Sequence, residues 1–532
     1  MDTKKLRQKV LDLAIRGKLV PQNPNDEPAS VLLERIYAEK QKLISEGKIK
    51  REKRSSFIFK GEDNLYYEKV VENGKETIVN IDDEIPFDIP ESWAWCRFED
   101  LGFFMGGHTP SMKEEENWNG DIVWVSPKDM KSTIISNSIL KISKKGAEKL
   151  EKIPINAILM VVRSGILRHS FPIAIAHVSC TINQDIKAFS SFLSESTLYI
   201  YNSLCSFESY IINNFTKEGT TVNSIEWDNL KRIPLPIPPL LEQEKIVAKI
   251  HESLTLLKEL DVNLTKTKQI ILDTKSKLLD LAIRGKLLAQ DESDEPASEL
   301  LKRIREEKES AQLTSKSKRK TAVSYIFKGE DNLYYEKVVE NGKETIDNID
   351  DEIPYNIPSN WSWTKFEDVA EISRGGSPRP IISFITDSTN GVNWIKIGDA
   401  EKGGKYIYTT KEKIKKEGIR HSKYVESGDF LLSNSMSFGR PYILKTDGCI
   451  HDGWLSIKFN KNVLNEDFLY NLLSSKFMYY QFESLAVGST VKNLKSDSVK
   501  IAKIPIPPIN EQKRISNFLD KAFEQLDALI QH

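Results

Sequence analysis

Residues 10–100 recur at 278–368 with a constant offset of 268 and no insertion or deletion. The matched text includes LDLAIRGKL (11–19 and 279–287), DEPAS (26–30 and 294–298), IFKGEDNLYYEKVVENGKETI (58–78 and 326–346) and a W-x-W pair at 93/95 and 361/363. So long an internal match implies two copies of one structural unit, related by an approximate two-fold axis, and a bipartite object for them to engage. The repeat resumes at 218–246, which aligns with 487–515 at offset 269. Between these frames, 101–217 and 369–486 keep similar lengths but share little sequence. Two weak landmarks persist there: GHTP (107–110) with GGSP (375–378), and VWVSPKDM (123–130) with NWIKIGDA (393–400). Near-identical frames alternating with divergent inserts suggest one scaffold carrying two specificities.

The frames read as mainly helical. After the proline run Pro234 to Pro239, apolar residues fall at Ile250, Leu257, Leu264, Ile271 and Leu278, a seven-residue period broadened by Ile246, Leu254, Leu260 and Leu281. This is the seam of a long helix packed on another helix, ending at Gly285 as a C-terminal glycine cap. A second copy starts at 509, runs through Ile515, Leu519, Leu526 and Leu529, and stops at His532. By the offset, Met1 corresponds to position 269 and His532 to 263, and Leu6, Val10 and Leu13 continue the seam. The spacing therefore predicts that the termini meet and build the second long helix together, closing the repeat into a ring. Shorter helices are expected from near Pro28 and Pro296, where a first-turn proline is tolerated. Basic stretches at 48–54 and 314–320 follow, then hairpins turning at Asn73-Gly74 and Asn341-Gly342, both of type I′ composition. The inserts read as mixed α/β, each with a helical stretch (193–213 and 464–484).

Composition narrows the function. Hydrophobic content of 39% with 29% charged residues describes a soluble globular chain. Apolar runs such as AILMVV (157–162) are too short to span a bilayer, and the charged N-terminal helix has no signal core, so cytoplasmic residence without membrane partners is expected. The four cysteines (Cys96, Cys180, Cys205, Cys449) form no C-x-x-C pair and suggest no disulfide frame; Cys180 and Cys449, in roughly equivalent places, read as buried thiols rather than metal ligands, and the seven histidines show no metal-ligand spacing. A net charge of −1 excludes a uniformly basic nucleic-acid binder but not local patches. No phosphate loop, amino-methyltransferase tetrapeptide or P-D…[DE]-x-K nuclease motif is present, and FFMGGH (103–108) only loosely echoes a cofactor loop. A non-catalytic chain, with no catalytic or metal residues, is expected.

IPESWAWCRFEDLG (89–102) and IPSNWSWTKFEDVA (357–370), each followed by a G-x-[TS]-P turn, occur in order with KRIPLPIPPLLEQEKIVAKI (231–250) and AKIPIPPINEQKRISNFL (502–519). In this doubled order the chain resembles, over essentially its whole length, the specificity (S) subunit of type I restriction-modification enzymes. The resemblance implies an α+β fold: two mixed α/β target-recognition domains joined by a pair of long antiparallel coiled-coil helices, in a pseudo-two-fold circular repeat. The implied division is 1–91 as helical scaffold, 92–238 as the first recognition domain, 239–360 as central helix and connector, 361–508 as the second recognition domain, and 509–532 as the C-terminal long helix. It also implies that each domain reads one half of a split target in the major groove of double-stranded DNA. Two adenine methyltransferase subunits and motor-nuclease subunits would be partners, and S-adenosylmethionine, ATP and Mg²⁺ would belong to them rather than to this chain. The alternative from another class is a coiled-coil scaffold with two protein- or glycan-binding domains.

Base-edge reading needs Arg, Lys, Asn, Gln, Ser or Thr on rigid loops, with phosphate contacts setting register. In the first insert the candidates are His108, Thr109, Lys128, Arg163, Ser164, Arg168, His169, Asn183, Gln184, Thr220, Thr221 and Asn223. In the second they are Arg374, Ser377, Arg379, Lys396, Asn434, Ser435, Arg440, His451, Ser489, Thr490, Lys492 and Asn493. The bland reading of each is a satisfied loop or turn residue, and that of Trp93, Trp95, Trp361 and Trp363 is packing where domain meets scaffold. Counted along the sequence, 92–235 is neutral and 361–505 carries about +5, so the second domain should lean harder on phosphate neutralisation.

Overall fold

The structure is a computed structural model that describes residues 2–50, 54–219, 222–314, 323–340, 342–435, 438–486 and 493–531. It forms two compact units, Met1–Asn263 and Leu264–His532, each with its own core. The division falls inside a helix of 44 residues, Leu240–Ile283, about 66 Å long at 1.5 Å per residue. The expected seam is its least exposed face: Ile246, Ile250 and Ile271 are buried, and Leu254, Leu257, Leu260, Leu264, Leu278 and Leu281 are half-buried. The helix ends as predicted. Gly285 takes φ +65°, and the Lys286 and Gly285 N–H groups reach back to Leu281 O (2.9 Å) and Ala282 O (3.2 Å), a Schellman closure.

In each unit a terminal helix runs antiparallel to its part of this long helix. In the first, Thr3–Ile15 is capped by Asp2; Thr3 Oγ1 donates to Asp261 (2.7 Å), while Gln22, just beyond its end, donates to Glu242 (3.2 Å). In the second, Ile509–Gln531 pairs Asp527 with Lys275 (2.6 Å), and Glu511 accepts from Gln290 (2.8 Å).

The shorter frame helices are Ala29–Ser45 and Ala297–Thr314. Pro28 sits one position before its helix, as the N-cap with φ −57° and ψ 149°, rather than inside the first turn. The expected hairpins are three-stranded antiparallel sheets instead, 54–60, 66–72 and 75–80 in one frame and 323–328, 334–340 and 343–348 in the other. The extra strand comes from residues next to the basic stretch, whose aromatic and β-branched side chains alternate over the sheet. Asn73 (φ 51°) and Gly74 (φ 79°) make the type I′ turn; Asn341 lies outside the described residues. The same holds for 51–53 and 315–320 of the basic stretches.

The W-x-W strands Ala94–Arg97 and Ser362–Lys365 pair with the proline strands Pro234–Ile237 and Lys503–Ile506, closing each insert at its base. All four tryptophans are buried there. Trp93 and Trp361 donate their indole N–H to Glu242 (3.0 Å) and Glu511 (2.9 Å) at the starts of the long helices. They are packing residues at the junction of insert and frame.

Each insert is an α/β domain built on two main sheets, and the first adds a small third sheet of 163–164, 223–225 and 216–217. In the first, the sheet order is 102–106, 186–191, 158–161, 173–176, 134–135, with a second sheet of 181–182, 118–125 and 140–142. In the second the order is 370–374, 454–459, 430–433, 441–444, 406–407, with a second sheet built around 392–395 and 448–450. Two helices cover each: Thr197–Ser206 and Glu208–Phe215, and Glu466–Leu473 and Lys476–Leu485. Inserts that share little sequence thus share a topology. Cys96, Cys180 and Cys449 are buried and Cys205 half-buried, none in a disulfide; burial pushes the thiols of Cys180 and Cys205 up to about 12.

Candidate nucleic-acid interface

In both inserts one hydrogen-bond scaffold gathers the ends of four strands. A short parallel ladder starts it: Ile182 beside Val125 in the first insert, Ile450 beside Ile395 in the second. The next residue extends the ladder, Asn183 N–H to Val125 O (2.9 Å) and His451 N–H to Ile395 O (3.3 Å). The glycine turn then docks on it, His108 N–H to Ile182 O (3.0 Å) and Gly376 N–H to Ile450 O (3.2 Å). The preceding glycines cannot be replaced: a Cβ on Gly107 would lie 2.0 Å from Ile182 O, and one on Gly375 2.1 Å from His451 O. Further bonds bring in the other two segments. Val162 N–H donates to Asp185 O (2.8 Å) and Ile225 N–H to Val162 O (2.8 Å), matching Asn434 N–H to Gly453 O (3.0 Å) and Leu494 N–H to Asn434 O (3.0 Å).

The loop after the ladder is shaped in both copies by one aspartate. Asp129 accepts from the Ser126 (2.8 Å) and Ile139 (2.7 Å) N–H groups, and Asp399 from those of Lys396 (2.8 Å) and Lys411 (3.2 Å). Asn183 and His451 also do the same work. Asn183 Oδ1 accepts from Asp185 N–H (3.1 Å) and His451 Nδ1 from Gly453 N–H (2.6 Å), each bending the chain so that the next residue projects. Burial holds the His451 pKa below its ordinary value, which keeps the neutral ring that can accept there.

On this scaffold His108, Thr109, Lys128, Arg163, Ser164, Gln184 and Asn223 of the first insert come together, and Arg168 and His169 belong to the adjoining 165–168 turn. His108, Lys128, Arg163, Arg168, His169 and Gln184 are exposed. Asn183 and Asn223 are each only 5% exposed; the Asn183 amide serves the turn, and the Asn223 amide oxygen is buried without a hydrogen-bond partner. In the second insert Arg374, Ser377, Arg379, Lys396, Asn434, Ser435, His451 and Asn493 gather likewise, with Arg440 exposed at the far end of the 434–440 loop. Asn434 is buried, donating to Asp452 O (2.7 Å), and Lys396 is paired with Glu412. Thr220, Thr221, Ser489, Thr490 and Lys492 lie outside the described residues.

Asp452 is the residue the sequence reading missed. Ser377 Oγ donates to its Oδ1 (2.8 Å), Arg379 lies 3.6 Å from its Oδ2, and its carbonyl accepts from Arg374 (3.4 Å) and Asn434. The Ser377 hydrogen bond first, with nearby positive charge, holds its carboxyl below the usual range, so it is ionised at neutral pH. Residue type alone does not point to an acidic residue on a surface that would face phosphates, although the repeat offset carries Gln184 onto position 452. Beside it opens a cleft of about 1020 Å³ with Ile381, Ile382, Ile385 and Trp394 on its apolar side. Among the described residues no group of three His, Cys, Asp or Glu side chains is placed to hold a metal ion, and no helix is long and apolar enough to cross a membrane.

Comparison with known proteins agrees with this architecture. The EcoEI type I restriction enzyme specificity subunit of Escherichia coli is 24% identical over 604 residues, covering 99% of this chain and 90% of that protein. The EcoAI specificity subunit of the same organism is 27% identical over 433 residues; the match covers 70% of this chain and 63% of that protein, less than two thirds of its length. The crystal structure of the HsdS subunit from Thermoanaerobacter tengcongensis superimposes with a TM-score of 0.50 at 15% identity, over 84% of this chain and 93% of that one. A chain from a structural study of type I R-M complex assembly and conformational transition gives 0.53 at 17% identity, over 84% and 94%. At such identities the superpositions establish the fold. Residues 90–267 and 358–532 both match the type I restriction modification DNA specificity domain, and the chain belongs to that family.

Proposed function

We propose that this chain is the DNA-sequence specificity subunit of a type I restriction-modification complex, each insert reading one half of a bipartite duplex target in the major groove. The observation that carries this reading is the shared loop scaffold: one backbone arrangement, set by the same hydrogen bonds in both inserts, displays different polar side chains at equivalent points. A scaffold that needed one binding specificity would have no use for that difference. The chain itself carries out no chemistry in this reading. The long helices hold the spacing between half-sites and dock two adenine methyltransferase subunits, a motor-nuclease subunit joins for cleavage, and the assembly works in the cytoplasm. S-adenosylmethionine, ATP and Mg²⁺ serve those partners. Half-sites read on one face of B-DNA lie about 34 Å apart, a distance within the span of a helix about 66 Å long.

The test is binding of duplex DNA by the complex assembled with its methyltransferase subunits, as a function of salt. Log affinity should fall linearly with log salt concentration, because Lys128, Arg163, Arg168, Arg374 and Arg379 would release counterions from phosphates. A flat response, or no difference between methylatable and unrelated duplexes, overturns the reading.

A further inference from the structure

Equivalent positions in the two inserts present opposite hydrogen-bond polarity, and this bears on what each can read. Gln184 and Asp452 follow the turn-shaping residues Asn183 and His451, and both are gripped by the hydroxyl of the glycine turn. Thr109 Oγ1 donates to Gln184 Oε1 at 2.6 Å, and Ser377 Oγ donates to Asp452 Oδ1 at 2.8 Å. In Gln184, which is exposed, that bond occupies the amide oxygen and leaves the NH₂ free to donate. In Asp452, whose side chain is 45% exposed, it occupies one carboxylate oxygen and leaves the other, a pure acceptor. The hydroxyl fixes each rotamer, so the free group is aimed before any ligand arrives.

We propose that positions 184 and 452 are the matched base-reading positions of the two inserts. Gln184 selects a base that accepts (guanine O6/N7, adenine N7 or thymine O4), and Asp452 selects one that donates an amino group (cytosine N4 or adenine N6). This rests on the proposed function above. The carboxylate argues for base edges specifically. A phosphate approaching Asp452 would be repelled, whereas an exocyclic amino group satisfies the oxygen that Ser377 leaves open. Arg379, 3.6 Å from Oδ2 and itself 82% exposed, is free to swing to a backbone phosphate as the amino group takes its place. The bland alternative is that Asp452 only staples the 374–379 loop to the 450–454 turn.

The experiment uses the complex assembled with its methyltransferase subunits and maps methylated sites for the wild type, Asp452→Asn and Gln184→Glu. Asp452→Asn keeps an oxygen for Ser377 and turns the outward acceptor into a donor. One base pair of one half-site should lose its preference by about 5- to 150-fold, with the other half-site unchanged. Gln184→Glu should do the same at one base pair of the opposite half-site. With the wild-type complex, duplexes carrying base analogues without the exocyclic amino group should bind more weakly only at the Asp452 position. A bipartite wild-type motif that neither substitution alters, or a uniform loss of affinity on all sequences, overturns the assignment and leaves the stapling role. A wild-type complex with no bipartite motif instead sinks the function on which it rests.

Discussion

At the base of the first unit one arginine reaches both of the carboxylates whose equivalents are served by separate lysines in the second, and Arg54 and Arg232 add longer contacts of 3.4 Å to one of them. Arg97, 1% exposed, reaches Glu68 through two nitrogens (2.8 and 3.2 Å), Glu84 (2.7 Å) and the Arg232 carbonyl (2.8 Å). In the second unit the equivalent carboxylates are shared out: Lys365 pairs with Glu336, and Lys503, from the proline strand, pairs with Glu352. The arginine fork spans two acceptors where the lysine point charge serves one, so the substitution is matched by a second change across the strand pair. Frame differences are thus compensated, and the geometry under each insert is kept. Differences on the loop tips (His108 against Gly376, Arg163 against Ser435, Gln184 against Asp452) have no such compensation, because nothing in the fold requires any.

The strongest test of that contrast is to make the tips alike. Replacing 101–217 by 369–486, so that both frames carry the second insert, should leave a folded chain whose complex methylates a target with two copies of one half-site. The first exchange point follows the base strands Ala94–Arg97 and Ser362–Lys365, and the base-strand pairs that bracket both inserts keep the same register in the two units. Methylated-site mapping reads the result. A target with one unchanged and one wholly new half-site would show that the frames, not the inserts, contribute to reading.

A smaller effect tests the compensation. Arg97→Met takes two hydrogen bonds from Glu68, whose side chain is 2% exposed, leaving it Arg54 and Arg232 at 3.4 Å each, and should cost about 3 kcal/mol in urea unfolding, the low end for a broken buried pair. Lys365→Met leaves Glu336, 15% exposed, nearer to water and should cost about 1–3 kcal/mol. Burial raises the Glu68 pKa, but Arg97, together with Ser56 and Arg232, outweighs it and holds the group below its ordinary 4.5. That contribution is complete above 4.5 and is lost as pH falls toward the lowered folded value, so the Arg97→Met deficit should shrink in acid. Equal costs for the two variants, or a deficit independent of pH, would break the comparison.

What was legible beforehand follows the same line. The seam from Ile246 to Leu281, the stop at Gly285 and the burial of the four tryptophans were read correctly, because each depends on local periodicity or a cap with one physical solution. The third strand of each frame sheet was not, since the five-residue loop that joins Arg54–Lys60 to Tyr66–Glu72 carries no two-residue turn signature. On the loop tips, residue type picks out exposed cations such as Lys128, Arg163 and Arg374 but does not separate Gln184 from its buried neighbour Asn183. That distinction is made by a turn, and turns of this kind accept Asn or His at one position. Asp452 was missed because chemistry was expected to follow net charge, whereas hydrogen-bond polarity at one aimed oxygen does not.

The smallest expected effect concerns the junctions that the two frames share. Glu242 and Glu511, each 1% exposed, accept from Trp93 and Trp361 and from Gln22 and Gln290. Burial raises both carboxyl pKa values above 4.5 in spite of those bonds. A raised folded value means the native state binds more protons than the unfolded chain, so stability falls as pH climbs from 4.5 through the folded pKa. Glu511→Gln removes the ionisation while its amide oxygen still accepts the Trp361 indole, and Gln290 can turn its own oxygen toward the new NH₂. At pH 7 the variant should therefore be at least as stable as the wild type, by an amount on the order of one exchanged hydrogen bond, ~1 kcal/mol. Below pH 4.5 the advantage should vanish. Glu242→Gln should behave alike and the double variant should add, since the two junctions lie in separate cores. A loss of stability at pH 7 would show that the indole bond needs a full negative charge, and that these carboxylates are ionised pillars of the frame rather than tolerated burials.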